Sequence, residues 1–289
     1  MAAIASYKSN QLRDYSSLFS RREALSWFKK DFSSINYKID RYDEDWRELE
    51  KVTYLDYLKY VYSVLESHYQ NEYVFKNAFL NDWLIKEIGE EHSKVFSEFR
   101  VGSSIADLVM FNGNSKLFEI KTEYDSDSRL SLQIQNYRKA FNQIYLIVPE
   151  SKLDNYRNFD DNIGLISFNS NNKSRFCFHR EAEVNKEIDA TTIMDILHSE
   201  EYKNIVKLHY GSIPNVTSFN QFIICGELIK NIPNEKLNRL FIEQMKHRGI
   251  KNILSKRHHR EFNQLSLALK LNNSEMKEMI QNLKTPLKL

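Results

Sequence analysis

The most constraining feature of this sequence is a pair of apolar segments joined by Asn-Gly-Asn at positions 112–114. The first segment, Ile105 to Phe111, is apolar at every position except one, and the second runs from Lys116 to Thr122. An Asn-Gly turn between two such segments is typical of a β-hairpin. The two segments are therefore predicted to form neighbouring antiparallel strands.

Three charged residues interrupt these predicted strands, whose interiors normally exclude charge. Asp107 lies in the first strand, and Glu119 and Lys121 lie in the second. Residues two apart in a strand point to the same side, and cross-strand neighbours can act together. In one interpretation the strand faces water and Glu119 forms an ion pair with Lys121. In the other, Asp107 and Glu119 converge on a hard cation such as Mg²⁺, which binds a few carboxylates plus waters.

The segments on either side predict an α/β fold. Lys94 to Val101 alternates as a strand does, and Gln143 to Val148 and Gly164 to Phe168 are further apolar segments. Between the third and fourth strands the apolar spacing predicts a helix. Its stripe consists of Leu130, Ile134, Tyr137 and Phe141, and its N-cap candidates are Asp125, Ser126 and Asp127.

The rest of the chain is predicted to be mainly helical. From Trp46 to Gly89 the apolar residues recur at three- and four-residue steps, and Gly89 is a plausible helix end. We therefore predict a helical N-terminal extension over 1–70 and a mainly helical region over 171–289. The core between them, 71–170, is predicted to hold a mixed central sheet flanked by helices.

Charge permits a nucleic-acid partner without requiring one, because the formal net charge is only +2. The segment from Lys246 to Arg260 contains six basic residues and no acid. It can follow a phosphate backbone, with Lys256, Arg257 and Arg260 as candidate contacts. A solvated, locally basic pair of helices explains the same pattern, and the sequence favours neither interpretation.

Apolar runs long enough for a signal peptide or a membrane-spanning helix are not found in the sequence. Cys177 and Cys225 do not suggest a disulfide framework, so both are predicted to be free, buried thiols in a reducing compartment. The sequence therefore predicts a cytoplasmic protein with no membrane partner.

Asp107 followed by Glu119-Ile120-Lys121 resembles the motif of the PD-(D/E)XK nuclease superfamily. The order of helix, three strands, helix and strand is also similar to that family. The resemblance implies a restriction-endonuclease-like core in which Asp107, Glu119 and the Ile120 carbonyl bind Mg²⁺ or Mn²⁺. It also implies that Lys121 assists the attacking water. Ala106 departs from the proline in the motif name, a departure that many members share.

The predicted helix after Lys121 extends this resemblance. Gln133 and Tyr137 match the QxxxY form of RecB-like members, in which both residues lie beside the site and touch DNA. Arg129 lies one turn earlier and can reach a phosphate. For the acidic residue that the family carries upstream, Glu98 is preferred, and Glu87 is the alternative.

The resulting hypothesis is a metal-dependent nuclease that hydrolyses phosphodiester bonds, with DNA as the expected substrate. The alternative is a catalytically inactive nucleic-acid-binding or interaction protein that retains the nuclease fold. A role in phage defence, mobile-element biology or repair is compatible with the first hypothesis, and resolvase-like relatives admit a homodimer. A nucleotide-dependent enzyme is disfavoured, because neither GxGxxG nor GxxxxGK[ST] occurs.

Overall fold

The computed structural model describes residues 7–87, 93–170, 172–249, 254–255 and 257–287. The α-helices are α1 (Ser9–Ser17), α2 (Arg21–Phe28), α3 (Ser33–Tyr42), α4 (Tyr54–His68), α5 (Glu72–Phe79), α6 (Ile85–Glu87), α7 (Leu130–Arg138), α8 (Leu153–Tyr156), α9 (Ala190–Ile196), α10 (Ser199–Tyr210), α11 (Gln221–Lys230), α12 (Asn234–His247), α13 (Asn263–Leu269) and α14 (Asn273–Leu283). A π-helical turn, Leu80–Leu84, joins α5 to α6. The strands are β1 (Lys94–Val101), β2 (Ser104–Phe111), β3 (Ser115–Ile120), β4 (Gln143–Pro149), β5 (Gly164–Phe168) and β6 (Phe176–Arg180). The fold is α/β.

Contacts group the chain into two compact units. The helical unit comprises Met1–Ile85, Ser170–Lys173 and Ile250–Leu289, and the sheet unit comprises Lys86–Asn169 and Ser174–Gly249. The division into 1–70, 71–170 and 171–289 stays a prediction.

The helical unit is built around α4, whose start is a capping box. Thr53 Oγ1 accepts a hydrogen bond from the Asp56 amide, and Asp56 Oδ2 accepts one from the Thr53 amide at 3.0 Å. The predicted stripe of this helix is confirmed, because Leu55, Leu58, Tyr62 and Leu65 are all buried. Helices α13 and α14, although distant in sequence, pack against α2, α4 and α5. The predicted helix end at Gly89 lies outside the described residues.

The sheet unit contains a six-stranded mixed sheet in the order β1-β2-β3-β4-β5-β6, flanked by helices. The first three strands form an antiparallel meander, β4 and β5 are parallel to β3, and β6 is antiparallel to β5. The predicted hairpin is confirmed. Phe111 pairs with Ser115, and Gly113 has φ +102°, a left-handed conformation that glycine adopts without steric cost.

One face of the sheet packs on α7 and on α9 to α12. Val109, Phe111 and Leu117 belong to this core together with Ile134 of α7. Phe111 meets Phe241 of α12 edge to face, with ring centroids 5.6 Å apart. This packing holds α7 against the same sheet face that carries the odd-numbered residues of β3.

Two local predictions were wrong, and one strand was not predicted. Strand β6 was not predicted, because it lies directly after a polar loop. Helix α7 begins after Arg129, which makes no side-chain cap, whereas Asp125 and Asp127 bind other groups in the preceding loop. Cys177 is free but exposed, not buried.

Within the described ranges, none of the helices combines the length and the apolar character needed to cross a membrane.

Candidate active site

The candidate site lies where β2 and β3 separate. The antiparallel ladder between these strands ends at the pair Leu108–Phe118. One residue further, Asp107 Oδ2 accepts a hydrogen bond from the Ile120 amide at 2.7 Å. The Asp107 carboxylate thus takes the place of the backbone carbonyl that would accept this bond in a regular ladder. The hydrogen bond fixes the carboxylate beside the strand that carries Glu119.

Both carboxylate oxygens of Glu119 are engaged. Oε1 accepts a hydrogen bond from Gln133 Nε2 at 2.6 Å and lies 3.5 Å from Lys121 Nζ. Oε2 accepts one from the Tyr137 hydroxyl at 2.9 Å. Glu119 is 3% exposed and Lys121 is 7% exposed. The interpretation of a water-facing strand with a surface ion pair is therefore wrong.

Helix α7 brings Gln133 and Tyr137 to this group. The two residues are four apart in the sequence and therefore lie on the same face of the helix. Gln133 Oε1 accepts a hydrogen bond from Lys121 Nζ at 3.2 Å, so the amide bridges the lysine and Glu119. The buried Tyr137 hydroxyl also donates to the Ile105 carbonyl at 2.9 Å. Arg129, by contrast, is exposed at the start of the helix.

Burial and the neighbouring charge of Asp107 raise the pKa of Glu119 from 4.5 to about 7. Lys121, Tyr137 and Gln133 favour the charged form and limit that rise. Burial, followed by the charge of Glu119, also raises the pKa of Tyr137, which therefore stays a hydrogen-bond donor. Near neutral pH the Glu119 carboxyl group is therefore close to the midpoint of its titration.

Tyr137→Phe is expected to destabilise the fold by about 1–2 kcal/mol, because the buried Glu119 carboxylate loses the hydroxyl that it shares with the Ile105 carbonyl. Urea denaturation of the two proteins measures this difference. Tyr124→Phe serves as the control, since that side chain is 64% exposed, and it should stay within about 0.5 kcal/mol of the wild type. Equal midpoints for Tyr137→Phe and wild type would contradict the expectation.

The oxygen donors suit a hard divalent cation. Two carboxylates stand close enough for one to raise the pKa of the other, and Mg²⁺ uses one or two carboxylates plus waters and substrate oxygens. Among the residues that the structure describes, no three His, Cys, Asp or Glu side chains form a metal-holding group. Glu98 therefore does not complete such a group with Asp107 and Glu119.

Glu98 lies in β1, between the paired residues Ser97–Leu108 and Phe99–Ala106 and thus level with Asp107. It is exposed and has φ +54°, an uncommon conformation for a residue other than glycine. The side chain of the alternative, Glu87, lies outside the described residues.

The predicted basic contacts belong to the helical unit. Arg260 forms an ion pair with Asp82 at 3.3 Å, and its carbonyl accepts hydrogen bonds from Asn77 and Asn81 at 3.0 Å. Arg257 is exposed. Lys256 lies outside the described residues. At least one member of this basic segment thus has a structural role.

Sequence reasoning did not identify Asn136 or Lys152. Asn136 Nδ2 donates to Ser104 Oγ at 2.9 Å, which ties α7 to the first residue of β2. Lys152 Nζ donates to the Thr122 carbonyl at 3.2 Å and the Glu123 carbonyl at 2.9 Å. No local sequence signal marks either residue, because both act on segments distant in the sequence.

The family model of bacteriophage P4 protein cII matches residues 65–284, and the chain belongs to this family. Protein cII of Enterobacteria phage P4 is 27% identical over 136 residues, which cover 46% of this chain and 51% of that protein. The chain therefore matches about half the length of this relative. A solved structure, the SPO1766 protein of unknown function from Silicibacter pomeroyi, has 14% identity and a TM-score of 0.29. That alignment covers 41% of this chain and 80% of the other.

Proposed function

We propose that this protein is a metal-dependent nuclease with a restriction-endonuclease-like core, and that it hydrolyses phosphodiester bonds of DNA. The observation that carries the proposal is the group formed by half-buried Asp107 and by Glu119 and Lys121, which are buried. A lysine ammonium lies 3.5 Å from one carboxylate, and a second carboxylate is fixed to the same strand. Burying such a group costs free energy, and groups of this kind cluster at functional sites.

Each residue has a distinct part in the proposed reaction. Asp107, Glu119 and the Ile120 carbonyl would hold Mg²⁺ or Mn²⁺, which supplies an acidified water and neutralises charge on the phosphate. Lys121 orients the attacking water and stabilises the negative charge that develops on the phosphoryl oxygens. Gln133 keeps the Glu119 carboxylate and the Lys121 ammonium at a fixed separation by bonding to both.

Cleavage of plasmid and linear DNA by the purified chain tests the proposal. We expect cleavage with Mg²⁺ or Mn²⁺ and none after removal of divalent cations with EDTA, because the proposed reaction depends on the metal to acidify the attacking water. The Asp107→Ala protein, purified in parallel, controls for a contaminating nuclease. Activity that is unchanged by EDTA or by Asp107→Ala would contradict the proposal.

A second candidate is a non-catalytic nucleic-acid-binding protein. It is favoured by the two oxygens of Glu119, which protein donors already occupy. Binding of DNA that survives Asp107→Ala, with no cleavage of any DNA or RNA, would support this candidate over the nuclease.

Membership of a family named after a phage protein favours a role in phage or mobile-element biology over general repair. The homodimer and the cytoplasmic location stay predictions.

A further inference from the structure

The loop between β3 and α7 starts at the proposed catalytic lysine and is folded into a fixed turn. The Thr122 amide and hydroxyl both donate to Asp125 Oδ2 at 2.7 Å. The Tyr124 amide donates to Thr122 Oγ1 at 3.2 Å. These hydrogen bonds, which join residues of the loop itself, fix its backbone conformation.

The segment that follows β4 holds the same loop from the other side. Lys152 Nζ binds the carbonyls of Thr122 and Glu123, and Ser151 donates to the Glu123 carboxylate. Further along, the Tyr156 hydroxyl donates to Asp127 Oδ1 at 2.5 Å. The loop is thus preorganised before any ligand arrives, which lowers the entropy cost of binding.

This anchored loop presents an aromatic ring to solvent. Tyr124 is 64% exposed, and three residues of chain place its Cα within about 11 Å of that of Lys121. A single exposed apolar residue needs no explanation. Here, however, Ile105 and Leu132 are also exposed, at 44% and 55%, on the strand of Asp107 and the helix of Gln133. Exposed apolar side chains therefore occur on the strand of Asp107, on the helix of Gln133 and in the loop after Lys121.

We propose that Tyr124 is a stacking platform for an unpaired base next to the phosphate that is cleaved. The inference rests on the proposed nuclease function and names its substrate class, which is single-stranded or locally unpaired nucleic acid. Unpaired bases expose apolar faces that stack on aromatic side chains, whereas a duplex keeps its bases paired and presents mainly phosphates to an exposed ring.

Fluorescence anisotropy with labelled DNA tests this inference in the Lys121→Ala background with Mg²⁺, in which binding is read without cleavage. We expect the single strand to bind more tightly than its blunt duplex, and Tyr124→Ala to weaken single-strand binding by about tenfold. Tyr124→Phe, which keeps the ring, should bind as the parent does. Phe219→Ala, which removes a 95% exposed aromatic ring elsewhere in the sheet unit, should also leave the affinity unchanged.

Binding of an RNA oligonucleotide of the same sequence shows whether the protein prefers the unpaired bases of DNA or those of RNA. The inference is supported if the DNA or the RNA single strand binds more tightly than the duplex and if Tyr124→Ala loses this difference. Equal binding of single strand and duplex, or a Tyr124→Ala affinity equal to that of the parent, overturns it. Cleavage by the wild type reports on the nuclease proposal separately, because that activity can persist while Tyr124 proves irrelevant.

Discussion

Lys121→Ala is expected to lower the rate of metal-dependent DNA cleavage by about a hundred- to a thousandfold. Lys121 is 7% exposed, and its ammonium lies 3.5 Å from Glu119 Oε1 and 3.2 Å from Gln133 Oε1, so its loss removes a buried positive charge from the site. Initial rates at saturating Mg²⁺ measure the loss. Metal binding, measured by titration calorimetry, should persist, because both carboxylates remain.

Two further variants make this expectation specific. Lys121→Met keeps the apolar stem of the side chain, so it separates loss of charge from loss of packing. Lys116→Ala removes a lysine from the opposite face of the same strand and should leave the rate unchanged. Equal rates in wild type, Lys121→Ala and Lys121→Met would exclude the proposed role of this residue.

Glu119→Gln is expected to gain stability relative to wild type as the pH rises from about 4.5 to about 7. The folded chain raises the pKa of Glu119 to about 7, so over this interval it retains a proton that the unfolded chain has released. The unfolding free energy of the wild type therefore falls with rising pH. A side-chain amide does not titrate, so its contribution stays constant.

The difference in unfolding free energy between wild type and Glu119→Gln should change by roughly 3 kcal/mol across this interval, since a pKa shift of one unit corresponds to about 1.4 kcal/mol. Urea denaturation at several pH values measures it. Glu278→Gln, at an exposed position on α14, should follow the wild-type curve. A Glu119→Gln curve parallel to wild type would show that the carboxyl group is not held in a protonated form. DNA cleavage should be lost in Glu119→Gln, whereas the stability of this variant relative to wild type should rise with pH.

Much of the sheet could be predicted because its signals are local. The turn at 112–114 determines the pairing of β2 with β3, and this pairing places Asp107 beside the strand of Glu119. The four-residue spacing of Gln133 and Tyr137 determines that both point to one side of α7. The position of Asp107 beside the strand of Glu119 was therefore accessible from the turn type, whereas the position of Gln133 and Tyr137 beside that pair was implied by the family resemblance.

The burial of Glu119 and Lys121 could not be predicted from turn type or periodicity. The same Glu119 and Lys121 could have formed a surface ion pair, and only the packing of α7 on the sheet excludes water from them. The raised pKa of Glu119 follows from that exclusion. Asn136 and Lys152 were missed for the same reason, since each acts on a segment brought close by the fold.

The sequence by itself determined the order of most elements in the sheet unit and the chemical character of the candidate site, because hydrophobic periodicity and turn chemistry act over a few residues. The tertiary structure alone decided that α13 and α14 pack with the N-terminal helices, that β6 completes the sheet, and that a tethered loop displays Tyr124. These outcomes depend on contacts between distant segments, whose free energy comes from shared burial and leaves no local pattern.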